Sequence, residues 1–259
     1  MAMELDVTQP VLLAPGEGET IVDRPKRTIR ILFSHELLDA TWARHETGER
    51  GAEPHVHREH TDSFFVLEGE LTFRIGPDLE RVTAPAGTFV AVPPNVIHGF
   101  DNDGAEGARF LNFHAPSGGF ADYMRGENPG FDSFEPPADG GLPAAEATIT
   151  LSGAGEQLDR PTSHHWIQAE ETDISAMVMS FEPGFEGVDP HSHTDFVDCF
   201  YVLEGTTEFM GTQGGPGTFV AAPPEAVHGF RIPDGGQRIV LLNVHAPDAG
   251  FVARRRGDQ

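Results

Sequence analysis

The chain has 259 residues, 38% of them hydrophobic and 19 of them phenylalanine, enough for one or two domains with sizeable cores. With 17 basic against 41 acidic residues, its formal net charge of −24 argues against nucleic acid or an anionic membrane as partner, because both repel an acidic surface. Cys199 is the only cysteine and Lys26 the only lysine, which excludes an internal disulfide, a thiolate zinc cluster and an iron–sulfur centre, and disfavours Schiff-base chemistry.

In chain order, the opening Met1 to Asp6 has neither the basic nor the apolar region of a signal peptide. No charge-free apolar run reaches the ~18 residues of a membrane span, so a cytoplasmic protein is expected. Pro54-His-Val-His57 comes first among the informative segments: on a strand, positions i and i+2 face the same way, so His55 and His57 project together. Strands follow at Ser63–Leu67, at 70–75, where Leu71, Phe73 and Ile75 alternate with Glu70, Thr72 and Arg74, at Thr88–Val92, and at Phe110–His114. Ala121–Arg125 reads as a short helix. The Pro/Gly-rich stretch 128–144 then reads as a linker between a first domain, 1–127, and a second, 145–259, which ends in another short helix at Val252–Arg256.

The second domain repeats the first. Pro190-His-Ser-His193 and Tyr201-Val-Leu-Glu-Gly205 match Pro54–His57 and Phe65–Gly69 at one offset. Gly217–Pro224, His228-Gly-Phe230 and Asn243-Val-His-Ala-Pro247 match Gly87–Pro94, His98–Phe100 and Asn112–Pro116 after a six-residue deletion and a later one-residue shift. Many short strands with regular turns, twice over, predict an all-β chain of two small barrels.

Each copy carries two histidines on one strand face, a carboxylate five positions on, and a third histidine after a Gly…Pro-Pro turn. His55, His57, Asp62 and His98, and again His191, His193, Asp198 and His228, form candidate N/O sites for up to two divalent transition metals: iron, manganese, nickel, cobalt, copper or zinc. Parity puts Phe64, Val66, Phe200 and Val202 on the face of the aspartates, and Phe100 and Phe230 on that of His98 and His228, as walls of a small-molecule pocket or as ordinary barrel filling. Cys199 points away and packs in the core. His114 and His245, inside the repeated Asn-x-His-Ala-Pro, read as structural strand ends, His164-His165-Trp166 as surface or interface, and Arg254–Arg256 as a solvated tail.

The spacings His55-x-His57-x4-Asp62-x6-Gly69 and Gly87-x5-Pro93-x-Asn95-x2-His98-x3-Asn102, with their second-copy versions, resemble the two motifs of the cupin superfamily. The resemblance implies a bicupin: a tandem pair of jelly-roll β-barrels with a metal in the mouth of each. Both copies have aspartate where the family usually has glutamate, which leaves Asp62 and Asp198 as ligands or as catalytic bases behind a three-histidine site. In the second copy Glu225 stands at a motif glycine and Ile232 at the final asparagine, which puts the geometry of that loop in question.

The resemblance implies a metal-dependent enzyme, first a quercetinase-like dioxygenase on a small aromatic or enolic substrate, with an isomerase, cyclase or decarboxylase that does not use O2 as the alternative. A non-enzymatic small-molecule-binding bicupin is the further reading. The expected partner is a small molecule, and the chain itself a monomer or homodimer.

Overall fold

The alternation at 70–75 becomes strand Glu70–Ile75, with Leu71, Phe73 and Ile75 buried and Glu70 and Arg74 half-exposed. Similar patterning builds each of two compact units in the computed structural model, Gly18–Gly155 and Met1–Glu17 with Glu156–Gln259, whose described residues are 9–233 and 236–257. Nearly all regular structure is β, with two six-residue helices, Phe120–Arg125 and Phe251–Arg256, at the two predicted places.

In the first unit a seven-stranded antiparallel sheet runs, in spatial order, Glu19–Arg24, Arg27–His35, Leu38–His45, Ala108–Ala115, Thr61–Glu68, Phe89–Val92 and Thr148–Thr150. A three-stranded sheet of Glu80–Pro85, Glu70–Ile75 and His98–Asp101 packs against it through Phe64, Val66, Leu71, Phe73, Val90 and Phe110. Each such apolar side chain stabilises the fold by roughly 1.5–3 kcal/mol on full burial. The second unit has the same plan. A seven-stranded sheet from Gln157–Arg160 to Val11–Leu13 faces a four-stranded one that contains Val188–His191 and His228–Arg231. Phe181, Phe200, Val202, Phe209 and Phe230 fill its core.

These units are not bounded where composition alone places the domains. Thr148–Thr150 covers the edge strand Phe89–Val92 of the first unit, and Val11–Leu13 covers its counterpart Phe219–Ala222 in the second, which is therefore discontinuous in sequence. An uncovered strand edge leaves backbone groups unpaired, and these two short strands satisfy them. The 128–144 stretch lies within the first unit, joined to it by β-bridges from Phe134 to Val56 and Leu142 to Val96.

Two surface expectations are corrected. His165 is buried on strand Ser163–Glu170, where strand alternation turns it inward while His164 faces out and pairs with Asp159 at 2.7 Å. Arg256 is not free in solvent, since it bridges Glu156 and Glu170, both at 2.7 Å, and pins the last helix to its unit. Cys199 is buried, as expected, and burial pushes its thiol up.

Candidate metal centre

Strand His98–Asp101 runs so close to the His55 segment that His55 and His98 form a β-bridge, each donating its backbone N–H to the other's carbonyl at 2.9 Å. Gly99 permits this approach: a Cβ there would stand 2.7 Å from the carbonyl oxygen of Ala52. Gly229 does the same in the second unit, 2.7 Å from the carbonyl of Val188, beside the pair His191 and His228. The preceding turn holds Asn95 and Glu225 in the left-handed region, at φ 67° and 66°. Glu225 therefore takes the conformation that a motif glycine would supply, and its N–H reaches the His193 carbonyl at 2.6 Å as Asn95 reaches that of His57 at 2.7 Å. Loop geometry is the same in both copies.

The first centre gathers His55, His57, Asp62 and His98, with ligand atoms all within 4.8 Å of one another. All three imidazoles have Nδ1 against a backbone carbonyl: His55 on Glu53 at 2.8 Å, His98 on Val96 at 3.1 Å, and His57 on Asp132. A carbonyl only accepts, so each Nδ1 carries a proton, and in the neutral ring Nε2 is then the atom that offers a lone pair. Those lone pairs converge. Nε2 of His55 is 3.2 Å from Nε2 of His57, and Nε2 of His98 is 3.2 Å from Oδ2 of Asp62. Burial, with His98 and His57 adding to it, lowers His55 to about 3, so the ring is neutral at neutral pH. Acceptors facing acceptors in a buried site repel unless a cation lies between them, and this donor set fits a divalent transition metal.

The aspartate is short, yet its Oδ2 lies among the imidazoles, 3.2 Å from His98 and 3.7 Å from His57. Its other oxygen is held from behind, because Asn112 donates Nδ2 to Oδ1 at 2.5 Å and His114 Nε2 stands 3.6 Å away. Burial alone would raise Asp62, but the imidazoles of His114, His57 and His98 gathered around it hold it well below the usual carboxylate range. Asn112 and His114 are the repeated Asn-x-His. Strand Ala108–Ala115 pairs with Thr61–Glu68 so that Asp62 faces His114 in register. The signal was in the sequence as a repeat, and the register gives it a role.

The second centre, His191, His193, Asp198 and His228, copies this arrangement. His228 Nε2 lies 3.2 Å and His193 Nε2 3.7 Å from Asp198 Oδ2, while Asn243 and His245 hold Oδ1 at 2.6 and 3.1 Å. Burial opposes the charge on His228, but the adjacent Asp198 outweighs it and raises the imidazole above its ordinary value.

The centres differ in their surroundings. Asp132, from the supposed linker, accepts hydrogen bonds from the N–H groups of Arg58 and Glu59 at 3.0 and 2.8 Å and pairs with His60 Nδ1 at 2.9 Å. His60 stacks on His57, with centroids 4.0 Å apart. In the second unit Phe196 stands at the place of His60, stacked on His193 at 4.1 Å. His57 is 2% exposed at its side chain and His193 24%, so the first centre is the closed one.

A cavity of about 510 Å³ opens over the first centre. Its wall includes His55, His57 and Asp62, the expected Phe64 and Phe100, and also Phe110, Phe120, Phe131, Arg27 and His45. Val66 lies in the core instead. In the second unit a cavity of about 230 Å³ includes Phe200 and touches the centre through His228, with Val202 and Phe230 packed in the core. Asp132, His60, Arg27 and His45 escape sequence reasoning because none recurs in the second copy.

Residues 42–114 match the cupin domain family. That stretch lies within the first unit and carries its first metal-ligand set. The chain is 26% identical to quercetin 2,3-dioxygenase of Bacillus subtilis, across 86% of this chain and 79% of that enzyme. In fold it is similar to an oxalate decarboxylase of Bacillus subtilis, with TM-score 0.61 and 15% identity over 92% of this chain and 76% of that one. It is also similar to the protein YlbA of E. coli, with TM-score 0.66 and 11% identity over 95% and 94%. Among the described residues, no helix is long and apolar enough to cross a membrane.

Proposed function

We propose that this chain is a metal-dependent bicupin dioxygenase acting on a small aromatic or enolic substrate in the first barrel. One observation carries the reading: three imidazoles whose Nδ1 protons are committed to carbonyls aim their Nε2 atoms, with Asp62 Oδ2, at one point beneath a phenylalanine-lined cavity. His55, His57, His98 and Asp62 would hold iron, manganese, nickel, cobalt, copper or zinc, and His191, His193, Asp198 and His228 a second ion. Bound there, a redox-active metal would supply Lewis-acid and electron-transfer chemistry toward O2 and a substrate oxygen.

The chain's own groups do the rest. His55, His57 and His98 would ligate through Nε2, and Asp62 would supply the single negative charge of the ligand set. Asp62 would also serve as base for the proton of an enolic hydroxyl, and Asn112 and His114 keep its carboxylate oriented for that transfer. Phe100, Phe110 and Phe131 seat a planar ring and keep water from the reacting carbons.

Arg27 favours a second reading, decarboxylation of a small carboxylic acid, because it brings a guanidinium to the same cavity. Glu49, 2.8 Å from its Nε, already neutralises that charge, which favours an uncharged substrate. Oxygen uptake by iron-, manganese-, nickel-, cobalt- or copper-loaded protein with flavonols, diketones and catechols tests the proposal. Consumption of O2 with ring opening supports it. Product formation that persists without O2 replaces it with the isomerase, cyclase or decarboxylase reading, and no turnover with any metal leaves a binding protein.

A further inference from the structure

Two cross-strand partners at the inner wall of the first cavity have no equivalent in the second barrel. Arg27 and His45 stand opposite each other on strands Arg27–His35 and Leu38–His45, whereas the corresponding pair in the second unit is Ser163 and Phe181. The same plan thus carries a polar pair at the cavity of one unit and a hydroxyl and a phenyl ring at the equivalent place in the other, where Phe181 packs in the core.

His45 is 2% exposed, and its Nδ1 is buried with no hydrogen-bond partner. Phe100 stacks on the imidazole at 5.7 Å and Phe110 meets it edge-on at 5.2 Å, so aromatic surface frames it on two sides. Burial, followed by the neighbouring Arg27, lowers it to about 3. It is a neutral ring offering one donor and one acceptor. A buried polar group without a partner is costly, and phenylalanine at this position in the other copy shows that the fold does not need a histidine here. Arg27 is committed elsewhere, to Glu49 and to the carbonyl of Arg50, so no net charge is left to call for an anion. Phe100 follows His98 by two residues on one strand face, which sets His45 against the cavity wall beyond the histidine cluster rather than within it.

We infer that His45 is a specificity-determining residue: it receives an uncharged hydroxyl or carbonyl oxygen on the part of an aromatic substrate remote from the metal centre. The inference rests on the proposed aromatic substrate and adds a second point of recognition, in the first barrel alone.

Zinc-loaded protein, in which a redox-inert ion would let a flavonol bind without being oxidised, provides the test. Fluorescence titration compares 3-hydroxyflavone, which has only the metal-chelating end, with 3,7-dihydroxyflavone and 3,4′-dihydroxyflavone, which add a remote hydroxyl at either end. At least one dihydroxy compound is expected to bind about threefold to tenfold tighter than 3-hydroxyflavone, the worth of one net hydrogen bond. In His45→Phe, which copies the second barrel, that ratio falls to about one. His45→Gln, which keeps a donor and an acceptor, retains part of it and carries the test should the phenylalanine variant melt early. Equal binding of all three flavonols to the unmodified protein overturns the inference and leaves the aromatic reading standing, and so does a ratio that survives both substitutions. Binding of none of them removes the aromatic reading and the inference with it.

Discussion

Replacing Asp132 with alanine should loosen the first metal centre and leave the second intact. The carboxylate accepts from two backbone N–H groups and fixes His60 Nδ1, while its own carbonyl receives the Nδ1–H of His57. Hydrogen bonds to a charged acceptor contribute ~1.5–3 kcal/mol each on deletion, and the exposed N–H groups of Arg58 and Glu59 regain water when the carboxylate goes. Fully buried His60 cannot, because its Nε2 already has no partner. Together these give a destabilisation of about 2–4 kcal/mol, or ~6–12 °C in Tm for a unit of this size. Outer partners of this kind also weigh ~10–100-fold in metal affinity. Chelator competition on Asp132→Ala, followed by differential scanning calorimetry, should show one site weakened by that factor and one unchanged. Equal weakening of both sites, or of neither, would refute the idea that the 128–134 segment builds the first centre.

Further outcomes follow from the same geometry. Asn112→Ala strips a buried hydrogen bond from Asp62 Oδ1 and should cost ~2–3 kcal/mol with a weaker first site, and Asn243→Ala should do the same at the second, read by melting and metal titration. Gly99→Ala sets a Cβ 2.7 Å from the Ala52 carbonyl, so His98 must shift and the first site should lose metal at a cost of ~1–3 kcal/mol. Burial lowers His45 to about 3 and His165 to about 4, with nearby arginines adding to both. Both rings are neutral when folded and titrate near 6.5 when unfolded, so the unfolded chain binds more protons below pH 6.5 and stability falls as the pH drops through that value toward the folded pKa. Each histidine contributes a slope of up to ~1.4 kcal/mol per pH unit. The double variant His45→Phe, His165→Ile, which takes each side chain from the other copy, should flatten the acid limb of a urea-stability profile between pH 6.5 and 5. An unchanged slope would contradict the buried neutral state.

Periodicity and duplication carried most of the fold. Residues that recur at a fixed offset must serve the common plan, so the strands, both helices and both His-x-His…Asp…His sets could be read from one chain. What lay beyond reach were the groups that exist once. Asp132 sits in a stretch whose proline and glycine content marks it as a loop, and composition says nothing about which barrel such a loop is bonded to. The edge strands Val11–Leu13 and Thr148–Thr150 are three residues long, too short for period-2 alternation to stand out, so the exchange that sets the unit boundaries left no pattern. Of the two readings open for Val66, Val202 and Phe230, pocket wall or barrel filling, their place in the core clusters fits the second. Parity gives the face of a strand but not the depth along it, and these three lie in the packed barrel rather than at its mouth.

The central claim is that each barrel holds one metal ion through its own three histidines and aspartate. Elemental analysis of freshly purified protein with its His98→Ala, His228→Ala and double variants measures this most directly. The account predicts about two equivalents of transition metal in the parent chain, one in each single variant and none in the double. Metal that persists in the double variant, or a parent chain that binds none after reconstitution with iron, manganese, nickel, cobalt, copper or zinc, would contradict it.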